Sequence, residues 1–179
     1  MVLSACSSQR LALFFMFFVF FVFFIVRPVL GDPATQQRID RVCRQMEDYG
    51  FCNRTFSENL RGPVDDVGLT LIANDQVLRN ASNTYQFIEQ LQARTSDPAT
   101  RAALENCRIG CSQVREAFEQ ASYYFNKRDY VNMVQVERDA PRGEAFCRPP
   151  TTASRLVERK RELRILIAMA VVAGHILAP

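Results

Sequence analysis

Five cysteines, Cys43, Cys52, Cys107, Cys111 and Cys147, carry the first legible chemistry in this chain. A thiol can close a disulfide, hold a metal or attack a substrate, and its compartment and neighbours decide which. Upstream, Arg10 precedes an uninterrupted apolar run from Leu11 to Val26, and Val29-Leu30-Gly31 has the small residue that a signal peptidase needs. We place the cut after Gly31, so that Cys6 leaves with the signal. The sixteen apolar residues would extend about 24 Å, short of a bilayer core of about 30 Å. Export makes the five remaining thiols disulfide-forming.

Cys43 and Cys52 enclose a small loop whose closure is worth roughly 2.5 kcal/mol through the unfolded state, and Cys107 with Cys147 closes a larger one worth roughly 4 kcal/mol. We assign these two bonds. Cys107 and Cys111 stand one helical turn apart and project along one face, a poor geometry for a relaxed bridge. Cys111 is then the odd thiol, either a small buried hydrophobe or a reactive group. A zinc site is not expected, because the single histidine, His175, lies in an apolar tail and no Cys-x-x-Cys is present.

No catalytic constellation emerges either. His175 has no serine or acid beside it, and the pairs Glu47-Asp48 and Asp65-Asp66 fall at turns and helix starts, where capping explains them. No glycine-rich phosphate loop is present. We therefore expect no catalytic residue, no cofactor and no metal, and a protein that acts by binding.

The elements that must position these residues are helical. Glycine and proline punctuate the chain at Asp32-Pro33, Gly62-Pro63, Asp97-Pro98, Pro141-Arg142-Gly143 and Pro149-Pro150. Between these points apolar residues recur at spacings of three and four. The first long stripe is Val64, Val67, Leu71, Leu78, Ala81, Tyr85 and Ile88, interrupted by Asn74; the second is Leu104, Cys107, Cys111, Val114, Phe118, Ala121 and Phe125. A third, with Tyr130, Met133, Val136 and Ala140, should kink or break near Pro141. The last, with Leu156, Leu163, Leu166, Ala170, Ala173 and Leu177, becomes apolar almost all round. Stripes of this kind are buried only against one another, which predicts an all-α fold, an up-down-up-down four-helix bundle. Ahead of it, Ile39, Val42, Met46, Phe51 and Phe56 surround the first cysteine pair and predict a short stapled helical hairpin. The expected organisation is a signal over 1–31 and one domain over 32–179, with the hairpin at 35–62 and the bundle at 63–179.

Charge excludes one class of partner. Loss of Arg10 and Arg27 takes the formal charge from +3 to about +1, and the basic residues are interspersed with acids. Nothing favours nucleic acid. Two sequons, Asn53-Arg54-Thr55 and Asn80-Ala81-Ser82, add to the secretory reading, and the register of Leu78 and Tyr85 turns Asn80 outward.

Several of these segments resemble the plant invertase and pectin methylesterase inhibitors. The matching parts are Val42-Cys43, Tyr49-Gly50-Phe51-Cys52, Ala103-Leu104-Glu105-Asn106-Cys107, Lys127 with Asp129-Tyr130, and Cys147 at the family's interval, within a coverage from about Gln37 to the end. The resemblance implies a secreted four-helix bundle with an N-terminal hairpin and two disulfides. It also implies a 1:1 complex in which the bundle covers the cleft of a cell-wall pectin methylesterase or acid invertase in the apoplast. In the family's invertase inhibitors a Pro-Lys-Phe motif follows the second bundle helix; the stretch here is Asp129-Tyr130-Val131-Asn132. In place of the family's Ser-Ala-Ala-Leu pattern stands Val136-Glu137-Arg138-Asp139-Ala140-Pro141.

The candidate contact surface is the turn that gathers Tyr123, Tyr124, Lys127, Arg128, Asp129 and Tyr130, since aromatics and arginine are enriched at interface centres. One alternative is a surface-anchored structural or signalling protein. Ile165 to Ala178 would then be a removable lipid-anchor tail behind Arg155 to Arg164 and Ala153-Ser154. Without such an anchor, no membrane partner is expected.

Overall fold

The computed structural model describes residues 32–178; the export signal expected at 1–31, with Cys6, lies outside the described residues. The helices are α1 (Pro33–Cys43), α2 (Tyr49–Asn59), α3 (Asp66–Ala93), α4 (Pro98–Asn126), α5 (Tyr130–Glu137), α6 (Ala140–Phe146) and α7 (Ser154–Leu177), and no strand occurs among the described residues. Four helix starts follow one rule. Asp48 accepts from the Phe51 N–H at 2.8 Å, Asp65 from Gly68 at 2.9 Å, Asp97 from Thr100 at 2.8 Å and Asp129 from Asn132 at 3.2 Å. Each aspartate satisfies an N–H that its helix leaves unpaired, so within the acid pairs Asp48 and Asp65 are caps, whereas Glu47 pairs with Arg164 and Asp66 with Arg41.

Helix α3 packs against α4 and α7, α4 also carries α5 and α6, and α7 closes on both of them. With α5 and α6 counted as one interrupted helix, this is the predicted four-helix bundle. The interruption comes at Arg138-Asp139, and Pro141 opens the first turn of α6. Proline lacks the N–H that a helix interior uses, but its first turn does not need one.

The buried face of α3 differs from the expected stripe. Leu69, Thr70, Ala73, Asn74, Val77, Ala81, Thr84 and Ile88 are buried, whereas Leu71 is 46% exposed and Tyr85 half-buried. Small and hydroxyl side chains fill the seam because α4 and α7 flank α3 closely. Thr70 stays satisfied there by donating to its own helix at Asp66 O, 2.9 Å away. On α5 the stripe turns likewise, burying Met133, Val134 and Glu137 and leaving Tyr130 and Val136 half-buried. On α4 the expected residues are buried except Phe125, and Gly110 joins them. On α7 the apolar half is core: Ile165, Leu166, Ile167, Met169, Ala170 and Ala173 are all buried. Removing that half as an anchor signal would strip the bundle of one wall. No helix of the described residues is long and apolar enough to cross a membrane.

The structure joins Cys43 to Cys52 between α1 and α2, and Cys107 of α4 to Cys147 at the end of α6. Cys111 is unpaired and buried, its thiol pushed up to about 11 by burial. The hairpin is held to α7 by Asp48–Arg161 at 2.8 Å and Glu47–Arg164 at 2.7 Å, and to the start of the bundle by Val64 N–H donating to Thr35 Oγ1 at 3.1 Å.

Candidate functional site

The turn between α4 and α5 is built from the backbone outward. Helix α4 ends with the Arg128 N–H donating to Phe125 O at 2.9 Å and the Asp129 N–H to Tyr124 O at 3.0 Å, while Arg128 stands at φ 58°. This is the paired-bond C-terminal motif whose left-handed position glycine normally occupies. Arginine there costs about 1 kcal/mol or more of backbone strain, which the two bonds and the Asp129 cap must offset. The turn is therefore tightly specified even though it lies at the surface.

On it, Tyr123 is 60% exposed and meets Tyr124 edge-to-face with ring centroids 5.5 Å apart. Lys127 Nζ lies 5.7 Å from the Tyr123 ring centroid, within cation–π range. Behind them Tyr130 packs on Phe125 at 6.0 Å, and Val131, beside it, is 67% exposed. Lys127 and Arg128 are exposed and make no ion pair among the described residues. Asp129 is committed to the α5 cap through both oxygens, accepting from Asn132 N and from Asn132 Nδ2 at 2.7 Å. So of the six residues expected at this surface, Tyr123, Lys127 and Arg128 are presented outward, Tyr124 and Tyr130 support them, and Asp129 shapes the turn.

The remaining sequence-predicted positions lie elsewhere. Asn53 is half-buried on α2, its Oδ1 accepting from Gln36 Nε2 at 3.0 Å. Asn80 does not point outward as expected: it is half-buried, with Nδ2 3.5 Å from Glu162 Oε2 on α7. The rotation of the α3 face places it there. His175 binds within its own helix, Nδ1 lying 2.7 Å from Val171 O, while Nε2 contacts Arg138. No group of three or more His, Cys, Asp or Glu able to hold a metal occurs among the described residues.

One group went unnoticed in the sequence. Glu137 has no exposed surface, and neither of its carboxyl oxygens has a hydrogen-bond partner. The signal was its spacing, four residues after Met133 on the same face of α5.

These features define a class: a disulfide-linked, all-helical bundle with a stapled N-terminal hairpin and a rigid aromatic–basic turn. The model of the plant invertase/pectin methylesterase inhibitor family matches residues 37–140, and the chain belongs to that family. Among solved structures, a mutant form A of a pectin methylesterase inhibitor from Arabidopsis is similar at a TM-score of 0.69 and 17% identity, covering 77% of this chain and 95% of that one. A pectin methylesterase inhibitor from Arabidopsis thaliana is similar at 0.60 and 18%, covering 79% and 96%. No curated protein matches the chain.

Proposed function

We propose that the mature chain is an exported, non-catalytic inhibitor that docks on a cell-wall pectin methylesterase or acid invertase in a 1:1 complex and keeps substrate from its cleft. Family membership supports inhibition. The observation that carries the docking surface is the α4–α5 turn, where exposed Tyr123, Lys127 and Arg128 sit on a backbone pinned by Arg128 at φ 58°. A rigid aromatic–cationic knob loses little entropy on binding, and such residues dominate interface energetics. Residues 1–31 act as the export signal in this reading.

Titration of the purified mature protein against a pectin methylesterase and an acid invertase tests it. One enzyme should lose activity with an end point near one equivalent. Tyr123→Ala and Lys127→Ala should each weaken the complex at least about tenfold with an unchanged Tm. Inhibition of neither enzyme overturns the reading. Full inhibition by both variants moves the docking surface elsewhere on the bundle.

A further inference from the structure

We propose that Glu137 makes the joint between α5 and α6 a pH-sensitive latch, closed while its carboxyl is protonated and loosened when the carboxyl ionises. Glu137 is the last residue of α5, directly before the break at Arg138-Asp139. Its side chain is sealed from three directions. Met133 and Val134 lie along its own helix, Asn74 approaches from α3, and the α7 backbone closes over it at Gly174, where a β-carbon would stand 2.8 Å from Glu137 Oε2.

Polar satisfaction in this chamber depends on a proton. Glu137 Oε1 and Oε2 lack partners, as does Asn74 Oδ1, and Asn74 Nδ2 is aimed at Met133 Sδ, 3.8 Å away. A carboxylate brings no donor, so the ionised state leaves a charge facing one amide that does not close a bond of normal geometry to it. A protonated carboxyl removes the buried charge and brings an O–H into a chamber whose Asn74 oxygen is unpaired, whereas the Asn74 amide is the one neighbour that favours the ionised form. An uncompensated buried charge is costly, so the group either keeps its proton or opens the chamber.

The ionisable neighbours do not relieve it. Helix α3 offers only the neutral Asn74, and α4 contributes no charge to the carboxyl. On α7, His175 follows Gly174, but its ring is engaged by Val171 O and by Arg138, the residue after Glu137, on the outer side. In the break before α6, Asp139 pairs with Arg142 at 2.9 Å in solvent. Burial accordingly raises the Glu137 carboxyl from 4.5 to about 8, with the Asn74 amide opposing. The folded state then binds more protons than the unfolded state between those values. This group's effect is to lower stability as pH rises from 4.5 to about 8, with no loss below that window.

The test uses the mature protein and Glu137→Gln, which keeps the shape and supplies a permanent donor. Wild-type Tm should fall by about 5 °C or more between pH 5 and pH 8 relative to the variant, and hydrogen-exchange protection corrected for intrinsic rate should fall across residues 130–146 in the wild type alone. Equal pH slopes in the two proteins overturn the proposal. Should the variant not fold, a carboxyl-¹³C glutamate titration of the wild type decides. A Glu137 resonance titrating near pH 8 supports the latch, and one titrating near 4.5 overturns it.

Discussion

Gly110 of α4 and Gly143 of α6 meet backbone to backbone: a β-carbon on Gly110 would stand 2.4 Å from the Gly143 carbonyl oxygen, and one on Gly143 2.9 Å from that of Gly110. This approach lets α6 lie directly on α4 and brings Cys147 to Cys107. Gly110→Ala should push the helices apart at a cost of about 1–3 kcal/mol or more, read as a lower urea midpoint. Gly50→Ala, whose new β-carbon would meet only Asp48 Oδ1 at 3.5 Å, should stay within about 0.5 kcal/mol.

The two disulfides should rank by loop length. The Cys107–Cys147 bond closes a separation of 40 residues and Cys43–Cys52 one of 9. Replacing the first pair by alanine should lower stability by about 4 kcal/mol and the second by about 2.5 kcal/mol, measured by denaturant unfolding. The reverse order would show that the hairpin staple acts on the native state rather than on the unfolded chain.

Cys111 should be chemically silent while the bundle is folded. Burial lifts its thiol to about 11, so little thiolate forms at pH 8 and no reagent reaches it. Iodoacetamide at pH 8 should leave the native chain over residues 32–179, which lacks Cys6, unlabelled and add one group in denaturant, as read by mass spectrometry. Rapid native labelling would restore the reactive-thiol reading.

Acid should unfold the protein through carboxylates held by helix caps and by ion pairs. Asp48 is held below its usual range by the Phe51 N–H and then by Arg161, Asp97 by Thr100, and Glu105 down to about 2 by Arg108 and then Gln92. A lowered folded-state pKa gives stability that is present above the unfolded value and lost as pH falls through the folded one. The urea midpoint should therefore drop from about pH 4 downward, opposite in sign to the effect of Glu137. Asp48→Asn keeps an acceptor for Phe51 but not the charge toward Arg161, and should flatten that acid limb in part. An unchanged limb would assign it to other groups.

Much of the fold was legible because local signals agreed. Asp65, Asp97 and Asp129 each precede a periodic run, and the α4 stripe from Leu104 to Ala121 is apolar at every turn. The α3 seam was harder, since hydrophobicity points to Leu71 while the neighbouring helices select Thr70, Ala73 and Thr84, which allow close approach. Asn80 was misplaced by the same rotation. At the candidate surface, residue types located the turn, but the left-handed backbone of Arg128 leaves no mark in the sequence, where glycine is the usual sign. Glu137 was missed because a carboxylate on a helix is ordinarily read as solvated, and only the tertiary closure by Gly174 makes it interior.

That closure ties two distant positions to a common volume. A β-carbon at 174 would stand 2.8 Å from Glu137 Oε2, 2.9 Å from Val134 Cγ2 and 3.0 Å from Met133 Cε, so the space at 174 is already occupied from the other side. Evolutionary drift should then couple the two sites: a homologue that acquires alanine or serine at 174 is expected to carry a shorter residue at 137, and in exchanging the one it forfeits the titrating group of the other.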